Sequence, residues 1–144
     1  MIRRATREDI PNVLLLIHEF QDESLDAYKL FCDDDKAIKL MESVWQTSLV
    51  MEEDGKIVGV IAGIIVSAMV SIGYTMQEII YFVTKSYRGK GISLLTAFEH
   101  MSREMGCQNI VMVHMGNIYR NAMERIYTHL GYVFLEAQYI KCLT

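Results

Sequence analysis

Glu78-Ile79-Ile80-Tyr81-Phe82-Val83 leads, after a short polar turn, into Arg88-Gly89-Lys90-Gly91-Ile92-Ser93, and a strongly helical stretch follows. Beyond the opening glutamate, the first run is β-branched and aromatic, a composition that suits a strand. The turn behind it is basic and rich in glycine. The first turn of a helix leaves backbone N–H groups without partners, carries the positive end of the helix dipole, and with glycines admits an anion close to the chain. A strand, such a turn and a helix start together make a nest for pyrophosphate oxygens. Neither the G-x-x-x-x-G-K-[ST] loop of nucleoside triphosphatases nor the G-x-G-x-x-G turn of dinucleotide folds is present. On the motif alone, a surface loop with a helix cap is an equally open reading.

The rest of the chain narrows the choice. Its 144 residues suffice for one core and are too few for two, so residues 1–144 read as a single domain. With 51% hydrophobic and 22% charged residues and one proline, the composition is globular. A net charge of −4 argues against nucleic-acid binding, which needs a basic face. The basic cluster Lys85, Arg88 and Lys90 suits a small polyanion instead. Three cysteines, Cys32, Cys107 and Cys142, show no C-x-x-C spacing, and His18, His100 and His129 stand at unrelated helical positions. No disulfide framework and no metal are therefore expected. The start, Met1-Ile2-Arg3-Arg4-Ala5, is charged where a secretory segment would be apolar, so a cytoplasmic location is expected. Residues 57–77 carry no charge and match the length of a membrane span, but they are rich in Val and Ile and punctuated by Gly59, Gly63 and Gly73. Two strands joined by a turn fit that composition better than a membrane helix.

Periodicity supplies the remaining elements. Residues 2–5 form a strand. Thr6 caps a helix that runs to about Gln21, with Asp9 three residues on, Pro11 in its first turns, and Ile10, Val13, Leu14, Ile17 and Phe20 at helical spacing. Residues 21–32 have no clear period and are expected to shape substrate entry. Asp33-Asp34-Asp35 opens a second helix with Ile38, Met41 and Trp45 on its buried stripe. Residues 47–52 and 56–69 are strands around a Glu53-Asp54-Gly55 hairpin turn, residues 71–74 turn the chain, and 76–83 is the strand before the phosphate turn. A helix over 92–106 presents Leu94, Phe98, Met101 and Met105 and ends at Gly106. A strand over 108–114, a helix over 118–130 ended by Gly131, and a strand over 132–141 that closes the sheet complete the chain.

This order, β-α-α-β-β-β-α-β-α-β, together with Arg88-x-x-Gly91-x-Ser93, resembles the GNAT family of acyl-CoA-dependent N-acetyltransferases. The family signature is [Arg/Gln]-x-x-Gly-x-[Gly/Ala], and Ser93 is a small residue where Gly or Ala is usual. Tyr127-x-x-x-Gly131-Tyr132 resembles the family's Tyr-x-x-x-Gly-[Phe/Tyr] ending of the fourth helix, with Asn121-Ala122 before it. The resemblance implies an α/β (α+β) fold, with a central mixed, mostly antiparallel sheet of about six strands flanked by about four helices. Its fourth and fifth strands splay apart to form the acyl-CoA cleft.

What the resemblance implies for the site follows residue by residue. Acetyl-CoA is the expected cosubstrate, held by the turn residues Arg88, Gly89, Lys90, Gly91, Ile92 and Ser93, by main-chain groups of Phe82 and Val83, and by Asn121 or Asn117. Glu78 is the expected base, at a position where several family members carry a glutamate; as the first charge after a neutral stretch it would sit beside apolar residues that raise its pKa. Its alternative is a solvated or ion-paired strand residue. Tyr127 is the expected acid or thiolate-orienting group, with a core aromatic as its alternative. His114 is an alternative base, and Met69, Met76 and Met115 are candidates to line a pliable pocket. The expected activity is acetyl transfer to an amine by direct attack. The alternatives are another acyl-CoA donor, or a binding or regulatory protein that keeps the fold without turnover. The expected partners are the acyl donor and an amine acceptor, small molecule or protein, with a homodimer also open and with neither nucleic acid nor membrane.

Overall fold

The computed structural model describes residues 1–67, 72–116 and 119–144. Its N-terminal strand β1, Ile2–Arg4, is tied to the first helix by charge. Arg3 grips the Asp9 carboxylate with two bonds of 2.8 and 2.9 Å, and Asp9 in turn accepts the Thr6 N–H at 2.8 Å. That is the Thr6–Asp9 start read from the sequence, and α1 then runs Ile10–Glu23 with Val13 and Leu16 buried. Helix α2, Asp34–Val44, is capped by Asp33, whose side chain accepts the Lys36 N–H at 3.1 Å.

Strands β2, Ser48–Glu53, and β3, Lys56–Ser67, form the expected hairpin, and β4 is Tyr74–Val83. The uncharged stretch is thus two antiparallel strands in its described parts, and no helix among the described residues is long and apolar enough to cross a membrane. Residues 68–71, which hold Met69 and the start of the turn expected at 71–74, lie outside the described part. Helix α3, Gly91–Glu104, buries Leu94, Leu95, Phe98 and Met101, while Met105, expected on the same face, lies past its end and is exposed. Strand β5, Asn109–Val111, and helix α4, Arg120–His129, follow.

The sheet is mixed, ordered β1-β2-β3-β4-β5, antiparallel throughout except for the parallel β4–β5 pair. One face packs on α1 and α2 through Val13, Leu16, Met41, Val60, Ile80 and Phe82. The other packs on α3 and α4 through Ile61, Met76, Leu95, Phe98 and Tyr127. Gly63 lets Phe98 reach the sheet: a Cβ there would stand 2.9 Å from the Phe98 ring and 2.8 Å from the Gln77 carbonyl.

Two expectations need correction. Residues 132–141 form no strand, so the described sheet has five strands; Val133, Phe134, Leu135 and Tyr139 are exposed. A closing strand needs a main-chain edge, and β5 offers only three residues, not the seven expected over 108–114. The chain leaves the ladder after Val111, and two residues on the Val113 N–H donates to the Glu78 side chain of β4 while its carbonyl accepts from Tyr127 of α4.

Candidate active site

The site is built where β4 and β5 part. They pair in parallel at Thr75–Asn109, Met76–Ile110 and Gln77–Val111, and β4 then continues to Val83 with no strand on its outer side among the described residues. At the point of separation, a side chain replaces the missing main-chain acceptor: Glu78 Oε2 accepts the Val113 N–H at 2.9 Å.

A bulge decides which way Glu78 faces. Ala62 pairs with Ile80 and Gly63 with Glu78, which leaves Ile79 as an extra residue in β4. Strict alternation would put Glu78 on the face of Ile80 and Phe82, against α1. The extra residue resets the alternation, so Met76 and Glu78 share a face with Tyr81 and Val83, toward α3 and α4.

Glu78 is 6% exposed. Burial pushes its carboxyl up to about 7, and the Val113 amide offsets this only in part. A carboxylate tuned to neutrality can take a proton and release it at little cost. On α4, Tyr127 is buried, its ring stacked on His114 with centroids 6.1 Å apart and its hydroxyl donating to the Val113 carbonyl at 3.4 Å. Gly131, at φ +89°, lets the chain turn out of α4 one turn later, and the Tyr132 N–H caps the Tyr127 carbonyl at 2.9 Å. Burial first, and then the Glu78 charge, pushes the Tyr127 phenol well above its usual range. It therefore stays protonated and serves as a donor. His114 Nδ1 is buried with no hydrogen-bond partner among the described residues.

Tyr81 belongs to this group, although the sequence reading passed over it. Its hydroxyl donates to the Gly91 carbonyl at the start of α3, joining β4 to the turn behind it. Burial and the Glu78 charge raise its pKa as well. The bulge that puts Tyr81 beside Glu78 leaves no mark in the sequence pattern.

The turn itself is wound more tightly than expected. Residues Lys85–Lys90 form a 3-10 helix that runs directly into α3, and the Gly91 N–H donates to the Arg88 carbonyl. Arg88 acts as a strut: its Nε donates to the Val83 carbonyl at 3.0 Å and its Nη1 to the Tyr119 hydroxyl at 3.2 Å, while Nη2 bonds the Glu23 carboxylate. Its guanidinium also lies over the Phe82 ring, 5.5 Å from the centroid. Lys90 pairs with Glu53 at 3.0 Å. Two of the three expected cations are thus already neutralised, and Lys85 is exposed. A Cβ on Gly89 would meet no atom of the described residues within 4 Å, so its surface is open to a ligand.

Ile92 and Ser93 are exposed on the first turn of α3. Phe82 is buried against Phe20 of α1, its ring centroid 5.8 Å away, and its backbone pairs with Val60 of β3, while the Val83 carbonyl is held by Arg88. Asn121 is exposed on α4, in a surface hollow with Glu124, Arg125, Thr128 and His129. Asn117 lies outside the described residues. The segment 21–32 contains a 3-10 turn, Leu25–Tyr28, and a Cβ on Gly116 would stand 3.8 Å from the Tyr28 hydroxyl. That places the segment over the loop that carries Val113 and His114.

The sequence profile of the acetyltransferase (GNAT) family matches residues 10–132. The chain belongs to the GNAT family. Solved structures agree on the GNAT fold. A ribosomal-protein-alanine N-acetyltransferase from Brucella melitensis biovar Abortus 2308 superposes with a TM-score of 0.75 at 18% identity, covering 99% of this chain and 98% of that one. The aminoglycoside N-acetyltransferase AAC(6')-Iy, in complex with the bisubstrate analogue CoA-S-monomethyl-acetylneamine, gives 0.76 at 16% identity, covering 100% and 97%. A transcriptional regulator from Bacillus halodurans C-125 gives 0.77 at 16% identity, covering 99% of each chain. No curated protein matches the chain by sequence.

Proposed function

We propose that this GNAT protein transfers the acetyl group of acetyl-CoA to a primary amine by direct attack, with Glu78 receiving the amine proton. The observation that carries this reading is the buried Glu78 carboxyl, pushed up to about 7, at the mouth of the β4–β5 separation. Structural ion pairs lower carboxylate pKa values; a carboxylate held near neutrality with no cation beside it is tuned for proton transfer.

The features that suit acetyl-CoA are the outer side of β4 beyond Gln77, which no strand among the described residues pairs with and which can accept an extended arm as another strand would, and the open surface at Gly89. Acetyl-CoA supplies a thioester: the amine nitrogen bonds to the acetyl carbon as the C–S bond breaks, leaving an amide, a CoA thiolate and one surplus proton on nitrogen. Glu78 first takes a proton from the arriving ammonium, directly or through a water, and the surplus proton left after attack passes to the thiolate. Tyr127 faces the other charge. Because burial keeps its phenol protonated, it donates a hydrogen bond to the departing thiolate instead of surrendering its proton outright. Its present bond to Val113, at 3.4 Å, is long and easily given up. Most of the acceleration comes from holding amine and thioester together, for which effective concentrations reach ~10⁵ M or more.

CoA thiol release from acetyl-CoA, measured across amino acids, polyamines, aminoglycosides and lysine peptides, tests this reading. Turnover with at least one amine class is expected. CoA binding without turnover on any of them would overturn it and leave a binding or regulatory protein.

A further inference from the structure

Three side chains that the sequence keeps apart meet between α1 and α2. His18 Nε2 lies 2.7 Å from Asp34 Oδ1, and Cys32 Sγ lies 3.6 Å from the same oxygen. Each offers a metal-ligating atom, and all three atoms fall within 4.8 Å of one another. Spacing alone argued against a metal, because His18 lies deep in α1 while Cys32 and Asp34 come from the far end of the segment that loops back.

We propose that His18, Cys32 and Asp34 form a binding site for a divalent zinc-class ion that fastens the α1–α2 segment. The donor set selects the class: an imidazole nitrogen, a thiolate sulfur and a carboxylate oxygen suit a borderline-soft ion, and exclude magnesium and calcium, which prefer oxygen alone. The spacing agrees. Bond lengths of about 2.0–2.3 Å in a tetrahedron put neighbouring ligand atoms about 3.3–3.7 Å apart. Cys32 and Asp34 already stand at that separation, whereas His18 is 2.7 Å from Asp34 and within 4.8 Å of Cys32, so its ring must shift by about 1 Å, exchanging its hydrogen bond to Asp34 for a bond to the ion. The fourth position is left for water. Charge favours occupancy too: Asp33, Asp34 and Asp35 stand together at the start of α2, outweighing the weak positive end of that helix.

The plain alternative is a His18–Asp34 hydrogen-bonded latch. That latch has no use for sulfur, whereas the ion site needs it, and this difference makes the test decisive. It is also independent of acetyl transfer, since none of the three residues is assigned to the β4–β5 cleft. The ion would close residues 18–34 into a loop, and this loop carries Glu23, which holds Arg88, and Tyr28, which lies over Gly116.

Cobalt(II) is the probe, added to reduced, tag-free protein and followed by its sulfur-to-cobalt charge-transfer absorption and visible ligand-field bands. One equivalent is expected to bind with both signals, and zinc is expected to displace it. Cys32→Ser should abolish the charge-transfer band, and His18→Ala should weaken binding by more than about tenfold, since even outer-shell partners of a metal cost 10–100-fold. Cys142→Ser should leave both signals unchanged. Absence of a charge-transfer band in the wild type, or a band that survives Cys32→Ser, would overturn the proposal. Hydrogen exchange of the wild type gives a second readout: zinc should slow exchange across residues 24–33, and unchanged exchange at saturating zinc would count equally against it.

Discussion

Glu78 and Tyr127 hold the same residue from opposite ends: Glu78 Oε2 accepts the Val113 N–H at 2.9 Å, and the Tyr127 hydroxyl donates to the Val113 carbonyl at 3.4 Å. One peptide segment, just past the last β4–β5 pair, thus positions a carboxylate from the sheet and a phenol from α4. The two bonds differ in strength. Glu78 is fixed by a good hydrogen bond, and Tyr127 is held by one at the limit of useful length, free to turn to a better acceptor.

Tyr127→Phe follows from that difference. Losing a bond of 3.4 Å costs the fold little, so thermal stability should shift only slightly. A charge-assisted bond to a thiolate is worth about 1.5–3 kcal/mol, so kcat should fall about 10- to 100-fold with the KM for acetyl-CoA nearly unchanged. An unchanged kcat in single-turnover experiments would return Tyr127 to a packing role.

For the phosphate turn, the informative substitution is at Gly89. A Cβ on Gly91 would meet the Tyr81 hydroxyl at 3.1 Å, so a change there also disturbs the link between β4 and α3. A Cβ on Gly89 would meet no atom of the described residues within 4 Å, and Gly89→Val should fold normally while its side chain obstructs an anion approaching the turn. CoA affinity is expected to drop at least about tenfold by calorimetry, the equivalent of ~1.4 kcal/mol. Equal affinities for wild type and variant would move the pyrophosphate site off this turn.

The line between what the sequence disclosed and what it withheld runs through these residues. Strand β4, the basic turn, the helix starts at Thr6 and Asp33, and the Gly131 ending all follow from local rules of composition and capping, and they stand where expected. Glu78 was legible as a lone charge beside an apolar strand. Tyr81 was not, because its place beside Glu78 depends on the bulge at Ile79, a pairing between strands that no single stretch encodes. The strand expected over 132–141 failed for a similar reason: its own pattern is strand-like, but pairing needs an edge, and β5 is spent after three residues. His18, Cys32 and Asp34 were illegible because an aperiodic segment brings them together.

Stability should report the buried Glu78 independently of catalysis. Its pKa rises from about 4.5 in the unfolded chain to about 7 in the folded one, so the folded state binds the proton more tightly. The stability this gives is full below about pH 4.5 and is lost as pH rises toward 7. Glu78→Gln has no such titration. The stability of the variant relative to wild type should therefore climb between those pH values, by an amount on the order of 3 kcal/mol, and level off above. A difference that stays flat across the window in urea denaturation would show that Glu78 titrates normally.

The same substitution gives the sharpest kinetic test. In the wild type the carboxylate must be ionised to accept a proton, so kcat/KM should fall on the acid side of about pH 7. Above that, Glu78 can deprotonate an arriving ammonium, and the rate should stay level up to the acceptor's own pKa, ~10 for a lysine-like amine. Glu78→Gln depends on solvent for free amine. Its rate should rise about tenfold per pH unit with no break near neutrality, starting ~10²-fold or more below wild type and meeting it near the pKa of the amine. Two parallel curves less than about twofold apart would reject Glu78 as the base. Attention would then pass to His114, whose ring stacks on Tyr127 and whose Nδ1 has no hydrogen-bond partner among the described residues.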